Sequence, residues 1–327
     1  MLRTLLSSAL LSALVLASPA MLACKKTGGE TETPTASEDA PAAPGMVELR
    51  YATAPYSLKS AGSVAMELAG MQSGNLAMKG EAIFAYEAAE DGYMKVVARV
   101  VSIDALEVDG ALKEGLLGSH DVTALLTAVK GKESFYVVDM RGDTDDEKTK
   151  ALPENVARAE QAKAEAEKIK AERAAAGDGE APKGPTLDQT ATGLASQFLD
   201  FMLPGGFPEE PMAPSGDTKL PLEQKDVAMF GTDIPMEIEQ TYTLTPTGDG
   251  LGGMSMAMET ISSGAKEMSQ GGQSTFIAVD QESSGTLVLD DAGELPSAFK
   301  GDILMTLTFG ENSIEQNISL DLSYTRL

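Results

Sequence analysis

Regular alternation of apolar and polar residues in the last third of the chain constrains its fold more than any other feature. Apolar residues recur at even spacings, on one face, in three runs: Met236, Ile238, Tyr242 and Leu244; Ile303, Met305, Leu307 and Phe309; and Ile318, Leu320, Leu322 and Tyr324. Side chains of a β-strand point alternately to opposite faces. Turn-forming stretches (TPTGDGLGG, DDAGE, FGENS) separate the apolar runs. This pattern predicts antiparallel strands with one covered and one solvated face.

A second strand-rich segment precedes the middle of the chain, from Val47 to about Val108. Its apolar residues again keep an even spacing, and EAAEDGYMKV places an Asp-Gly turn between two such runs, as in a hairpin. Tyr93 to Ile103 is apolar at both alternating sets of positions, so we expect this strand to be buried on both faces. EGLLGSHDVTALLTAVKG is ambiguous and is compatible with a short helix.

Two helices are predicted between these segments. Residues 149–175 are rich in Ala, Glu and Lys but lack an apolar stripe, which indicates a solvated helix. Residues 187–202 place Leu187, Ala191, Leu194 and Phe198 near one face, so we expect this helix to cover the C-terminal sheet.

The predicted fold class is α+β, dominated by antiparallel β-sheet, with a helical middle segment packed on the sheet. The expected organisation is a strand-rich segment (46–148), a helical insert with a Pro-rich connection (149–215) and a second strand-rich segment (216–327). Residues 46–327 suffice for one large core or two smaller ones. The pattern leaves open whether the strands form one sheet or two domains.

The N-terminus has the features of an export signal. Arg3 supplies a positive charge, and the apolar run Leu5–Leu16 is shorter than the roughly twenty residues that a membrane-spanning helix needs. The run is followed by Ser18-Pro19-Ala20 and then by Met21-Leu22-Ala23-Cys24.

This tetrapeptide resembles the lipobox of bacterial lipoproteins, although Met21 replaces the usual leucine and Leu22 is bulkier than the residue usually found there. The resemblance implies a signal peptide at 1–23, a cut before Cys24, a diacylglycerol on the Cys24 thiol and acylation of the new amine. Ordinary secretion, with cleavage after Ala20, is the alternative.

Cys24 is the only cysteine, so the fold contains no internal disulfide, and an exported free thiol invites oxidation that lipidation would prevent. Lys25 and Lys26 would lie at lipid headgroups, and residues 24–45 would form the lipidated anchor and a disordered Pro/Thr/Glu/Ala-rich tether. We therefore expect a lipoprotein of the bacterial cell envelope, on the periplasmic face of the outer membrane or the cell surface. The net charge of -25 argues against nucleic acid as a partner.

Candidate chemical sites are weak. Met254, Met256 and Met258 share one face of a predicted strand, and thioethers select Cu(I), but packing into a core explains them more simply. Asp139, Asp143 and the acids at 145–147 lack the spacing of a calcium loop. His120 is the only histidine, and no nucleophile motif is complete. We expect no enzymatic activity and no cofactor.

The expected function is therefore that of a lipid-anchored, non-enzymatic scaffold or binding module that contacts envelope proteins. The alternative is a carrier or receptor for a lipid or another apolar ligand, because long antiparallel strands with an inner helix are similar to the half-barrel lipoproteins that handle acyl chains. A carrier needs an apolar cavity of some hundreds of Å³ between helix and sheet. A scaffold fills that space with side chains.

Overall fold

The structure is a computed structural model that describes residues 46–70, 73–117, 120–176, 185–208, 210–229, 232–246, 253–270, 273–290 and 293–327. The predicted signal peptide, Cys24 and the predicted tether lie outside these ranges.

Eleven strands form one antiparallel sheet: β1 (Tyr56–Gly70), β2 (Gly74–Ala88), β3 (Met94–Val108), β4 (Glu133–Val138), β5 (Gly216–Lys219), β6 (Glu223–Met229), β7 (Thr232–Pro246), β8 (Met254–Gln270), β9 (Gln273–Leu289), β10 (Pro296–Phe309) and β11 (Asn312–Arg326). Their spatial order is β4-β3-β2-β1-β11-β10-β9-β8-β7, and β5 and β6 both pair with β7. The predicted fold class, α+β dominated by antiparallel sheet, is confirmed.

The first and last strands join the two strand-rich segments into one sheet. β1 pairs with β11 over nearly its whole length, with Val64 opposite Leu320 on the buried face. The Asp-Gly hairpin also forms as expected: Asp91 and Gly92 adopt φ values of 58° and 76° between β2 and β3. Glycine and aspartate tolerate this left-handed conformation better than most residues.

The described residues contain five α-helices beside the sheet: α1 (Gly110–Leu117), α2 (Val122–Val129), α3 (Asp146–Ala151), α4 (Pro153–Ala176) and α5 (Leu187–Met202). α5 begins with a capping box, in which Thr186 and Gln189 each satisfy a backbone N–H group of the other. Its apolar face buries Leu194 and Phe198 completely.

The position of α5 differs from the prediction that it covers the C-terminal strands. Its principal contacts are with α2 and α1 and with β1 to β4. One end of the C-terminal strands packs with Leu203, Phe207 and Met212, which follow α5, in the main hydrophobic cluster. The other end forms a second cluster in which side chains of β7 meet those of the non-adjacent strands β9 and β10. Gly264 of β8 lies between Met236 and Val279, and the Met236 side chain extends over the space that a side chain at Gly264 would fill.

Strand β3 is buried on one face, so the prediction of burial on both faces is wrong. Val96, Ala98 and Val100 are buried, whereas Val97 is half-buried and Arg99 is exposed. On the outer side of β3, Lys95 forms an ion pair of 2.5 Å with Glu154 at the start of α4.

The buried face of the sheet carries a band of polar side chains, here called the polar band: Gln240, Thr260, Ser262, Ser283 and Gln316. The Ser283 hydroxyl and the Gln316 carbonyl oxygen have no hydrogen-bond partner in the described part of the chain. Such groups weaken a core relative to a fully apolar one.

Residues 46–55, here called the N-terminal strap, connect three distant parts of the fold. Val47 pairs with Met212, the Tyr51 N–H donates to the Met140 carbonyl (2.8 Å), and the Ala52 N–H donates to the Glu294 carbonyl (3.2 Å). Met140 lies within one Asp-x-x-Gly turn, Asp139–Gly142. Glu294 directly follows another, Asp290–Gly293. In each turn the glycine N–H donates to the aspartate carbonyl. The strap thus ties the β4 end of the sheet to the β9–β10 connection.

None of the described helices is long and apolar enough to cross a membrane.

Candidate binding surface at the open edge of the sheet

The two edges of the sheet differ in how their backbone groups are satisfied. At the β4 edge, residues of the segment that contains α3 and α4 bond the outward-facing groups. Thr149 Oγ1 accepts from the Val137 N–H (2.8 Å), the Asp145 N–H donates to the Val137 carbonyl (2.8 Å), and Asn155 Nδ2 donates to the Phe135 carbonyl (3.0 Å). Arg158 Nη1 donates to the Glu133 carbonyl (2.9 Å). No further strand can add at this edge without breaking these bonds.

The opposite edge is formed by β5 and β6, which lie end to end along β7. Neither pairs with a second strand in the described ranges, and the principal helix contacts are all with β1 to β4. Pro221 lies between the two short strands, while β6 itself contains neither proline nor glycine. Within the described ranges, β6 is therefore the edge of the sheet along which no further strand is paired.

A groove of about 710 Å³ adjoins β6 on the solvent-facing side of the sheet. Its floor is formed partly by small residues, including Pro235, Gly264, Ala265 and Ala278. Polar residues of β6, β7, β8 and β9 are cross-strand neighbours along the groove. Gln224 lies opposite Glu237, Glu237 opposite Ser263, and Ser263 opposite Asp280. Gln224 Nε2 donates to Glu237 Oε1 at 3.1 Å. The groove thus crosses four strands from the open edge inward.

The surface around the groove is strongly acidic. Strands β5 to β9 carry ten carboxylates (Asp217, Glu223, Asp226, Asp233, Glu237, Glu239, Glu259, Glu267, Asp280 and Glu282) and three lysines (Lys219, Lys225 and Lys266). Asp226, Glu237 and Asp280 line the groove itself, and Lys225 borders it from a position of β6 whose register partner, Met236, belongs to the inner face. Such a surface attracts cations and repels anions.

The space beneath α5 is filled by side chains. Phe198, Leu199, Phe201 and Met202 are fully buried. The cavity between the Leu203–Gly206 segment and the sheet, lined by Met258, Phe299 and Tyr324, measures about 10 Å³. That volume is of the order of one water molecule, far below the roughly 300 Å³ at which small-molecule pockets begin.

Residues that the sequence suggested as chemical sites lie apart from the groove. Cys24 is outside the described residues. Met256 and Met258 are buried on the inner face of β8, and Met254 is partly buried; all three pack in the main hydrophobic cluster. Asp139 accepts hydrogen bonds from the Arg141 and Asp143 N–H groups and so shapes its own turn. A ring nitrogen of His120 lies 2.9 Å from the Pro185 carbonyl.

Shifted pKa values occur at residues with evident structural contacts. Burial raises the pKa of Tyr51, Tyr86 and Tyr136 well above the ordinary value. Hydrogen bonds from Asn75 lower the pKa of Asp109, and the hydrogen bond from Lys95 lowers that of Glu154. Within the described ranges, no group of three or more His, Cys, Asp or Glu side chains is placed to hold a metal ion.

Sequence reasoning did not identify the groove. Gln224, Glu237, Ser263 and Asp280 are far apart in the chain and meet only through the strand register. A signal was nevertheless present, because acids recur at the solvent-facing positions of these strands while few lysines balance them.

No protein-family profile matches the chain, and no curated protein sequence matches it significantly.

Proposed function

We propose that this chain is a lipid-anchored, non-enzymatic binding module of the bacterial cell envelope, held on a membrane through Cys24. The sheet is its rigid body, and the acidic groove beside β6 is its binding surface.

The observation that carries this proposal is the filled interior. With about 10 Å³ between the Leu203–Gly206 segment and the sheet, an acyl chain has no space there unless α5 or the strap moves. The groove of about 710 Å³ on the solvent side has the size of an ordinary binding site. Both volumes support binding on the outside of the sheet.

Native mass spectrometry tests this choice. All described contacts lie within residues 46–327, so this segment, purified without detergent, keeps the whole sheet. We expect the mass of the polypeptide alone. A lipid-sized adduct that survives purification would favour the alternative, a carrier of apolar ligands.

The anchor has a separate test. Acyl chains stabilise membrane binding by about 0.8 kcal/mol for each buried CH₂ group, so Cys24→Ser should move the protein from the membrane to the soluble fraction. A matched Ser37→Ala change in the predicted tether should leave it on the membrane. Retention of the Cys24→Ser variant would contradict lipid anchoring.

A further inference from the structure

We propose that β6 (Glu223–Met229) binds an extended segment of a partner protein as an added strand, and that this segment carries lysine or arginine at alternate positions. The inference rests on the proposed binding-module function and names the partner chemistry of that module.

The first argument is the contrast between the two edges. Four backbone groups of β4 are bonded by Asp145, Thr149, Asn155 and Arg158, which closes that edge. β6 pairs with β7 on one side and with no strand on the other within the described chain. An uncovered strand edge offers N–H and C=O groups to an extended peptide, as in known cases of strand addition.

The second argument concerns where the added side chains would point. Gln224 and Asp226 lie on the solvent-facing side of β6, opposite Glu237 and Pro235. Every second side chain of an added strand would stand beside them, at the mouth of the groove. Asp226 on β6 and Glu237 on β7, about 5 and 10 Å from the added strand, would then face those side chains, and a lysine or arginine is long enough to reach them. Asp280, about 19 Å away on β9, would add to the negative charge of the groove without direct contact.

The third argument excludes a second copy of this chain as the occupant. Strands β5 to β9 carry ten carboxylates and three lysines, so two copies would bring like-charged surfaces together. In addition, Lys225 faces the inner side of the sheet, opposite Met236. An inward-pointing charge on an edge strand disfavours pairing between identical edges.

The experiment uses the full-length protein in a non-ionic detergent and three synthetic decapeptides, (Lys-Thr)₅, (Glu-Thr)₅ and (Lys-Pro)₅. Proline removes half of the N–H donors and resists strand geometry, while the charge stays the same. We expect (Lys-Thr)₅ to bind, and to slow hydrogen exchange of the backbone amides in Glu223–Met229. The other two peptides should not slow it.

A charge-reversed variant tests the groove. Asp226→Lys/Glu237→Lys/Asp280→Lys should weaken (Lys-Thr)₅ binding by about tenfold or more. The control Glu67→Lys/Glu107→Lys/Glu315→Lys makes the same charge change on exposed positions of β1, β3 and β11 and should retain most of the affinity.

Three results would overturn the proposal: equal binding of (Lys-Pro)₅, equal weakening in the control variant, or unprotected β6 amides. Each of these results would mean that the peptide is held by general charge attraction and not as an added strand. A wild-type dimer with protected β6 amides would instead make the second copy the occupant.

The exchange experiment uses the wild-type chain and does not depend on the folding of a variant. Because it reports on β6 and not on the interior, its failure is distinct from that of the mass-spectrometry test.

Discussion

At the residue scale, Tyr51 of the N-terminal strap lies close to three other tyrosines, Tyr56, Tyr86 and Tyr324. The rings of Tyr56 and Tyr86 stack at 4.5 Å with an interplanar angle of 16°, and Tyr51 lies 6.3 Å from Tyr86. The Tyr51 hydroxyl donates to the Gly205 carbonyl (2.6 Å), whereas the buried Tyr56 hydroxyl has no partner within the described chain. Burial is the main cause that raises the pKa of Tyr51, Tyr56, Tyr86 and Tyr324.

These raised pKa values predict loss of stability in alkali. In the unfolded chain each tyrosine releases its proton near pH 10, while in the folded protein it stays protonated. The stability is therefore unaffected by these groups below pH 10. Above it, the free energy of unfolding falls by about 1.4 kcal/mol per pH unit for each tyrosine.

Denaturant unfolding between pH 8 and pH 11 measures this effect. Tyr56→Phe removes one titrating group and an unpartnered hydroxyl, so the variant should be as stable as the wild type at pH 8 and should lose less stability at pH 11. The same dependence on pH in both proteins would contradict the assignment.

Glycines on the sheet and on α5 provide a second prediction. A methyl group at Gly80 would overlap the Ser102 carbonyl oxygen and lie 3.1 Å from Phe198 Cζ, whereas one at Gly193 meets nothing within 4 Å. Gly80→Ala should destabilise the fold by about 1–3 kcal/mol through overpacking. Gly193→Ala, the matched change on an exposed helix position, should stabilise it by about 0.5–1 kcal/mol. Thermal unfolding of both variants measures the difference, and effects of the same sign would contradict this packing.

At the element scale, the helical segment beside β4 protects an edge. Asn155 Nδ2 donates to the Phe135 and Thr149 carbonyls at 3.0 and 2.7 Å. Asn155→Ala leaves the first of these edge groups without its protein partner and should cost about 1–2 kcal/mol. Hydrogen exchange of Glu133–Val138 should then become faster. Glu160→Ala, at an exposed position of α4, should leave this exchange unchanged.

Local pattern predicted the elements well, but not their partners. The apolar spacing of α5 predicted its range, and the Asp-Gly dipeptide predicted the turn at Asp91 and Gly92, because both signals depend on neighbouring residues. The surface on which α5 packs was predicted wrongly, since helix spacing says which face is apolar but not which strands meet it. The prediction that β3 is buried on both faces was also wrong. Arg99 already interrupted its outer face in the sequence.

At the scale of the whole molecule, the pairing of β1 with β11 joins the two strand-rich segments in one sheet. β1 and β11 pair in thirteen registered positions from Leu58–Arg326 to Gly70–Ile314, so the N-terminal and C-terminal strands depend on each other. We expect a single calorimetric transition for residues 46–327, with equal van't Hoff and calorimetric enthalpies. Two separate transitions would show that the strand-rich segments fold as independent domains.

The N-terminal strap also determines how the molecule would respond to force. A pull on the chain ahead of residue 46 first loads the Val47–Met212 bridge, which consists of two backbone hydrogen bonds of 2.7 and 2.8 Å. The Tyr51 and Ala52 bonds come next, and only then does the load reach β1, which is bonded along its length to β2 and β11. Under tension the fold would therefore yield in stages. A short length of chain would be released at low force, before the sheet itself is strained.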